Sequence, residues 1–417
     1  AFITKKNKLI GLFTDGDIRR LLLEHVTIDD PISSLDIKMC KFAYDTDDYE
    51  QMMSQLNEKI RILPIVDKNM NIVNYIQHDK RSYIPIAEPN LVGNELKYVT
   101  DALLSTWISS TGKYIDRFEA DFSKFIGMDY AVAASSGTSA LHLALMSLDV
   151  GEGDEVILPD LTFAATINSV LHSNATPVIV DVDEKSWCIN PSEIEKAITS
   201  KTKAIIAVHL YGQPCNMDMI MNLAKKYNLK VIEDCAEAHG AEYKDKKVGS
   251  FGNVSCFSFF GNKIITTGEG GMCLTNSNEI NTKLRILRDH GMNKSKKYWH
   301  DMIGYNYRMT NLQAAIGCAQ LERIDEILSW RQKIEDNYTK IFKKYPFIKI
   351  QNQVHESKKI PWLVSALIID KDINKFIEHF RENGIDVRNL FYPLSSMEIY
   401  EKLARSDNIV TRRLSKS

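Results

Sequence analysis

Between residues 129 and 234, short apolar runs rich in β-branched residues alternate with amphipathic stretches, and this alternation constrains the fold more than any other feature. The runs DYAVAAS, DEVILP, TPVIVDV, TKAIIAVHL and LKVIED predict strands, and the stretches between them predict helices. Strands that alternate with helices form a mostly parallel sheet with helices on both faces, an α/β fold. Functional side chains in such sheets collect at the carboxyl ends of the strands.

The character of the sequence changes near residues 82 and 330. The first change is marked by HDKRSYIPIAEPNLVGNE, a charge cluster followed by two prolines and a glycine. After the second, a charged amphipathic helix precedes PWLVSALIID, DINKFIEHFRENGI and DVRNLFYPL, which predict the strand, helix and strand of a small α+β domain. Residues 85–110 are expected to pack with that domain. We predict three domains, at residues 1–82, 83–330 and 331–417.

Residues 1–82 contain two similar pieces. NKLIGLFTDGDIRRLLLEH predicts strand, turn and helix, and DYEQMMSQLNEKIRILPIVDKNMNIVNYI predicts a helix and then strands at 60–66 and 72–76. The two pieces resemble the halves of a tandem CBS module, with the first half cut short. That resemblance places the nucleotide contacts of such modules on Thr14 and Asp17 and implies an adenine nucleotide there. A helix cap followed by a turn fits the same two residues.

The composition excludes several classes of function. The formal net charge is −2 over 417 residues, so no strong field favours nucleic acid or an anionic membrane. We find no apolar run long enough to span a bilayer and expect no secretory leader. The seven cysteines are scattered and never spaced as CxxC, which argues against disulfides and thiolate metal sites and predicts a cytoplasmic protein.

Lys263 stands in the segment FSFFGNKIITTGEGGM, after an aromatic run and before a glycine-rich turn. Most lysines lie on hydrated faces, where the ammonium is easily solvated. An amine beside an apolar wall gives up its proton more readily, and a neutral amine is a nucleophile that can form a Schiff base. Ser258, on the same turn, offers a hydroxyl to an anion. We therefore predict a reactive amine at Lys263.

The segment ASSGTSALHLALMSL predicts a helix whose first turn contains Gly137, Thr138 and Ser139. Free amides and the helix dipole favour an anion at this end. Gly137 lets the backbone approach closely, and Thr138 adds a hydroxyl. A plain serine or threonine cap is the alternative, and the pattern is not that of a dinucleotide site.

Two further side chains follow predicted strands. Asp234 ends LKVIED and could hold a protonated pyridine nitrogen, and Glu237 follows three residues later. Phe163, in LPDLTFAATINSV, could stack on a planar ring. A strand-end turn and core packing are the plainer interpretations of Asp234 and Phe163, and His239 is assigned no catalytic role.

One ligand would use all of these groups: an anion at a helix end, a flat ring with a carboxylate at one edge, and an aldehyde that accepts an amine. Pyridoxal 5′-phosphate (PLP) fits, covalently linked to Lys263. The order of phosphate turn, aspartate and lysine is that of the fold type I aminotransferases.

The motifs SSGTSALHLAL, PDLTFAAT, HLYGQPCNMD, EDCAEAHGA, SFSFFGNKIITTGEGGM and GYNYRMTNLQAAIG make residues 84–417 resemble the DegT/DnrJ/EryC1/StrS family of nucleotide-sugar aminotransferases. The resemblance implies a Schiff-base lysine at Lys263 and a pyridine-nitrogen partner at Asp234. It also implies ring stacking by Phe163 and a place beside the phenolic oxygen of the cofactor for Glu237.

The same resemblance assigns the cofactor phosphate. Thr138, Ser258 and the amide of Ser139 or its neighbours would hold it. Asn306, with Arg308 near it, would reach the phosphate in the neighbouring subunit, so the family's active site is built by a homodimer. In sugar 3-dehydratases of the superfamily a histidine replaces the lysine, so Lys263 favours transamination.

The segments STWISSTGKYIDRFE and YWHDMIGYNYRMTN look most like those of members that convert GDP-4-keto-6-deoxy-D-mannose to GDP-perosamine with L-glutamate, in O-antigen and other cell-surface polysaccharide synthesis. UDP- or dTDP-linked 4-keto sugars remain alternatives, as does a CBS nucleotide sensor with a degenerate aminotransferase body. Ser395 departs from the family, which often has histidine there, and members usually continue beyond NIVTRRLSKS, so we expect the small domain to be incomplete.

Overall fold

The computed structural model describes residues 2–14, 17, 21, 31–32, 37–57, 60–77, 84–293 and 295–416. The chain divides into two compact units, Ala1–Ile84 with Glu382–Ile385 and Pro85–Arg381 with Asp386–Ser417. Within the described ranges, no helix combines the length and the apolar character needed to cross a bilayer.

The first unit contains two small sheets. Strands β1 (Phe2–Lys5) and β2 (Lys8–Leu12) form an antiparallel hairpin. The second sheet joins β3 (Ala43–Tyr44), β4 (Ile62–Val66) and β5 (Ile72–Gln77), with helix α1 (Tyr49–Ser54) between β3 and β4. The predicted strands at 60–66 and 72–76 are confirmed by β4 and β5, apart from their end residues. Most of the helix predicted after Asp17 lies outside the described residues.

Thr14 and Asp17 bond to each other. The Thr14 hydroxyl and amide donate to Asp17 Oδ2 at 2.6 Å and 2.9 Å, and the Asp17 amide donates to Thr14 Oγ1 at 3.3 Å. This reciprocal pattern is that of a helix cap. Binding of an adenine nucleotide by these residues stays a prediction.

The second unit is built on a seven-stranded sheet. The strands are β6 (Tyr130–Ala134), β7 (Glu155–Pro159), β8 (Thr176–Val180), β9 (Thr202–Val208), β10 (Lys230–Asp234), β13 (Val254–Ser258) and β14 (Gly271–Thr275). Their order across the sheet is β6-β14-β13-β10-β9-β7-β8. All neighbouring strands are parallel except that β14 runs antiparallel to both β13 and β6. The predicted α/β fold with a mostly parallel sheet is confirmed.

Helices cover this sheet because its strands are apolar along nearly their whole length and must be buried on both faces. These helices and their neighbours are α2 (Glu95–Leu104), α3 (Lys113–Ile126), α4 (Gly137–Ser147), α5 (Ala164–His172), α6 (Pro191–Ala197), α7 (Met217–Tyr227), α8 (Asn278–Leu287) and α9 (Asn311–Glu322). Small strands β11 (Glu242–Tyr243) and β12 (Lys246–Lys247) form a hairpin beside the sheet.

The remaining elements follow α9. They are α10 (Ile324–Phe342), β15 (Ile348–Ile350), β16 (Ser357–Lys358), β17 (Ala366–Ile368), α11 (Ile373–Glu382) and α12 (Ile409–Leu414). Strand β15 pairs with β17 in an antiparallel ribbon, and β16 pairs with β11.

Two sequence-based predictions for the second unit are wrong: the packing of residues 85–110 and the strand predicted for DVRNLFYPL. Helix α2 packs against α9, where Gln320 Nε2 donates to Glu95 Oε1 at 2.6 Å, so residues 85–110 do not pack mainly with the C-terminal elements. Residues 386–393 form no regular strand. Their backbone amides find other partners, because the Phe391 amide donates to the Tyr211 hydroxyl at 3.0 Å and the Leu394 amide to the carbonyl of Asp160 at 3.0 Å.

Candidate active site

A cavity of about 390 Å³ opens at the carboxyl ends of the central strands of the second unit. Predicted site residues that line it are Gly137, Thr138, Phe163, Asp234, Glu237, Ser258 and Lys263. Ser139 and Asn306 do not line it. Residues that the sequence did not single out, Thr166, Trp362, Arg388 and Phe391, also line it.

Lys263 projects into this cavity from the turn after β13. Its amide donates to the carbonyl of Phe260 at 2.9 Å, which closes the turn. The neighbouring Phe259 and Ile264 are buried and form an apolar wall. The Lys263 side chain is 12% exposed, and its Nζ lies 3.6 Å from Glu237 Oε1 and 3.7 Å from the centroid of the Trp362 ring. The amine is thus enclosed on several sides and still faces the cavity.

Asp234 is the last residue of β10, and its carboxylate is buried. Thr166 Oγ1 donates to Oδ2 at 2.9 Å, and the Ala236 amide donates to Oδ1 at 3.2 Å. Burial raises the pKa of Asp234, although these hydrogen bonds and the charge of Lys263 oppose that effect. A cationic partner in the cavity would stabilise the carboxylate further. Thr166 was missed from the sequence because it lies on a helix far from β10 in the chain.

The first turn of α4 provides a cradle for an anion. Ser139 is occupied by the cap, because its amide donates to Ser136 Oγ at 3.1 Å and its hydroxyl accepts the Ser136 amide at 2.9 Å. The backbone amides of Gly137 and Thr138 lie in the first turn of α4, where no preceding helical carbonyl can accept their hydrogen bonds. A Cβ on Gly137 would lie 2.7 Å from the Cβ of Ser258, so only glycine leaves this space open.

Aromatic side chains form one wall of the cavity. Phe163 is 60% exposed and lies 5.8 Å from Phe391, measured between ring centroids. Tyr211 stacks on Phe391 at 5.4 Å and on Trp362 at 6.3 Å. Of the described residues that line the cavity, only Lys263 and Arg388 are basic.

Asn306 and Arg308 lie outside the cavity. Asn306 Oδ1 accepts from Arg308 Nη2 at 2.8 Å and from Nε at 3.1 Å, and Arg308 Nη1 lies 2.7 Å from Asp289 Oδ1. Nearby in the chain, Trp299 and Ile303 are exposed. These two polar residues therefore bond to each other and to Asp289, and neither lines the cavity.

Glu233, the residue before Asp234, fixes the end of β10 through the hydrogen bonds of its carboxylate. Its carboxylate accepts from His209 Nε2 at 3.1 Å and from the amides of Gly249, Phe251 and Gly252 at 2.7 Å each. His209 Nδ1 accepts the Cys215 amide at 3.0 Å, so Nε2 carries the proton. Burial alone would raise the pKa of Glu233, but the hydrogen bonds from His209 and the amides hold it below its usual value. With its ring nitrogens engaged, His209 has no lone pair for a metal.

Replacing Glu233 by glutamine is expected to destabilise the enzyme by about 3–5 kcal/mol, because the amide group would face buried donors that need an acceptor. Urea unfolding of the second unit, followed by far-ultraviolet circular dichroism, measures the loss. Glu152→Gln, on an exposed turn, is the matched control. Equal midpoints for the two variants would contradict the anchoring role.

The residues of the cavity fit PLP. The cradle at Gly137 suits a phosphate, the buried Asp234 suits a protonated ring nitrogen, and the enclosed Lys263 suits an aldehyde. The unused Oε1 of Glu237 faces the amine, while its Oε2 accepts the Tyr211 amide at 2.9 Å.

Comparisons with known proteins agree with this geometry. A model of the DegT/DnrJ/EryC1/StrS aminotransferase family matches residues 89–416. The chain is 48% identical over 325 residues to a GDP-perosamine synthase from Escherichia coli O157:H7, covering 77% of this chain and 88% of that protein.

Solved structures share the fold. A putative sugar aminotransferase from Streptococcus pneumoniae in its PLP form has a TM-score of 0.75 and 28% identity, covering 80% of this chain and 92% of that one. The E. coli GDP-4-keto-6-deoxy-D-mannose-3-dehydratase with bound hydrated PLP has a TM-score of 0.77 and 26% identity, covering 81% and 94%.

Proposed function

The chain belongs to the DegT/DnrJ/EryC1/StrS aminotransferase family, whose members use PLP, and we propose that it transfers the amino group of L-glutamate to a nucleotide-linked 4-keto-6-deoxy sugar. The sugar we favour is GDP-4-keto-6-deoxy-D-mannose, and the product is GDP-perosamine for a cell-surface polysaccharide. The relatives named GDP-perosamine synthase, at 43–48% identity, support this choice. The setting we propose is the cytoplasm, in keeping with seven free thiols.

The observation that carries the proposal is the joint presence of Lys263 and Asp234 in one cavity beside an anion cradle. When bound, PLP supplies an aldehyde carbon for an amine and a ring that withdraws electron density from the reacting carbon. Asp234 would accept the ring N–H, Thr138, Ser258 and the free amides of the first turn of α4 would hold the phosphate, and Phe163 would stack on the ring.

Lys263 moves the proton. In the first half-reaction its amine would take the proton from the α carbon of glutamate and pass it to the carbon of the bound cofactor, and water would release 2-oxoglutarate. In the second it would take a proton from that carbon and deliver it to C4 of the sugar, whose keto oxygen leaves as water when the amino group is added. Glutamate and sugar use the same cavity in turn, so ping-pong kinetics are expected.

A dehydratase is the closest competing reaction, because the E. coli 3-dehydratase has the same fold. Lys263 favours amino transfer, since dehydratases of this superfamily carry histidine at that position. Formation of 2-oxoglutarate from glutamate distinguishes the two. A CBS nucleotide sensor with a degenerate aminotransferase body is disfavoured because Thr138, Asp234, Ser258 and Lys263 all line one cavity.

The direct test incubates the enzyme and PLP with glutamate and, separately, the GDP-, UDP- and dTDP-linked 4-keto-6-deoxy sugars. Mass spectrometry of the products should show replacement of the keto oxygen by an amino group in the GDP sugar. Amination of a UDP or dTDP sugar alone would overturn the choice of GDP, and amination of none would overturn the proposed substrate class.

Arg388 is proposed to bind the diphosphate of the sugar nucleotide. Its side chain lines the cavity and is 61% exposed, and Asp386, at 3.4 Å, is its one acidic partner among the described residues. An exposed guanidinium at the edge of the cavity suits the diphosphate, while the sugar lies nearer Lys263.

Replacing Arg388 by alanine should raise KM for the nucleotide sugar about 10- to 100-fold, since a hydrogen bond to a charged group contributes about 1.5–3 kcal/mol. Steady-state kinetics measure this, with Arg412→Ala on α12 as the control. An unchanged KM would assign the diphosphate to other residues.

A homodimer is part of the proposal. Asn306 and Arg308 do not line the cavity, and α2 exposes the apolar residues Leu96, Leu103 and Leu104. An apolar surface of this kind is typical of an interface. Sedimentation analysis of the full chain tests it, and a monomer at micromolar concentration would contradict it.

A further inference from the structure

Trp362 contacts the amine of Lys263, although nothing in the sequence links the two positions. The Trp362 ring centroid lies 3.7 Å from Nζ, and Glu237 Oε1 lies 3.6 Å from the same atom. The amine therefore lies between the face of an indole and a carboxylate. Both partners stabilise a cation, and both do so more strongly in a buried setting than in water.

Trp362 is held firmly in this place. It is 6% exposed, and its Nε1 donates to the carbonyl of Asn262, the residue before Lys263, at 2.7 Å. Its own carbonyl accepts from Arg331 Nη1 on α10 at 2.8 Å. The indole is thus fixed to the lysine turn, and the backbone of Trp362 is fixed to a long helix.

Tyr211 ties the two partners together. Its amide donates to Glu237 Oε2 at 2.9 Å, and its ring stacks on Trp362 with an interplanar angle of 17°. Tyr211 has a φ of 53°, a left-handed conformation that is costly for an aromatic residue. The strained residue is thus the one that contacts both the Glu237 carboxylate and the Trp362 ring.

We propose that Trp362 and Glu237 form a seat for the free amine of Lys263, and that Trp362 is a positioning residue for proton transfer. The inference rests on the proposed role of Lys263 in transamination. In each half-reaction this amine must be free of the cofactor, remain close to the reacting carbon and later return. A free lysine side chain samples many rotamers, and the seat keeps this one ordered.

The seat also acts after Lys263 has taken the proton from the α carbon of glutamate. An indole face and a carboxylate both attract an ammonium, so they keep Nζ in place until it passes this proton to the carbon of the bound cofactor.

The first experiment measures the half-reaction with glutamate in a single turnover of the PLP-loaded enzyme. Trp362→Leu should slow it about 10- to 100-fold, while the dissociation constants of glutamate and PLP change by less than about threefold. Trp362→Phe should restore part of the rate, because benzene retains a weaker cation-binding face. An unchanged rate in the leucine variant overturns the proposal. Circular dichroism checks that it is folded, and the phenylalanine variant gives the test if it is not.

The second experiment needs neither cofactor nor turnover. The emission spectrum of Trp362 in the apoprotein is obtained by subtracting the fluorescence spectrum of Trp362→Phe from that of the wild type. In a Lys263→Met background this difference spectrum should shift, because the cation over the ring is gone. Lys296→Met is the matched control, since Lys296 Nζ lies 3.6 Å from the ring of Trp299 and should leave the Trp362 spectrum unchanged.

If the emission spectrum of Trp362 is the same with and without Lys263, the proposed seat for the amine is wrong. The proposed function fails differently, through a PLP absorption band that survives loss of Lys263 or through a sugar that is never aminated. Neither of those results alters the apoprotein spectrum.

Discussion

Replacing Lys263 by alanine is expected to abolish the absorption of bound PLP at roughly 400–430 nm and to lower transamination by about 10³-fold or more. The side chain is the sole amine among the described residues that line the cavity, and it lies where an aldehyde carbon would be held. Its loss removes both the covalent attachment of the cofactor and the group that moves the proton.

The absorption spectrum of the purified variant with added PLP, together with 2-oxoglutarate formation, measures both effects. Lys246→Ala, on exposed strand β12, controls for the loss of a surface lysine. A visible band and appreciable turnover in Lys263→Ala would show that another amine binds the cofactor.

Replacing Asp234 by asparagine is expected to lower kcat about 10²- to 10³-fold and to weaken PLP binding. Asparagine keeps a hydrogen bond to Thr166 but loses the negative charge, and removing one partner of a buried charge pair costs about 2–5 kcal/mol. The ring nitrogen would then lose its proton, and the ring would accept electron density less well.

The pH dependence provides a second measurement of Asp234. Burial raises the pKa of the Asp234 carboxyl, so this group takes up a proton at a higher pH than an ordinary aspartate, whose pKa is about 3.9. As the pH is lowered, the affinity of the wild type for PLP should therefore already fall above that pH. Asp234→Asn should lack this acid limb, and Glu152→Gln should retain it. Identical pH profiles for wild type and Asp234→Asn would place the titrating group elsewhere.

The sheet and much of the site could be predicted from the sequence because the informative residues are local to strand ends. Gly137, Asp234 and Lys263 each follow a recognisable strand, and parallel strand ends converge at one edge. The periodicity of 386–394 suggested a strand, but its amides bond to Tyr211 and Asp160. A local sequence pattern does not reveal that a backbone amide will donate to a hydroxyl or carbonyl far away in the chain instead of to a neighbouring strand.

Trp362 and Arg388 could not have been found in this way. Trp362 lies about a hundred residues after Lys263, inside the predicted strand PWLVSALIID, of which only Ala366–Ile368 forms a strand. Ser395, which departs from the family pattern, is 3% exposed, and its hydroxyl donates to Asp160 at 2.8 Å. Its place is structural, so the departure removes no group from the described lining of the cavity.

The three attachments of Tyr211 have a consequence for changing the substrate range. Its amide, ring and hydroxyl hold Glu237, Trp362 and the backbone of Phe391 in turn. A library that varies position 211 would loosen several walls of the pocket together and yield mostly inactive clones. Phe163, which is 60% exposed, can be varied with little cost to folding, but its proposed place over the cofactor ring restricts useful replacements to other aromatic side chains.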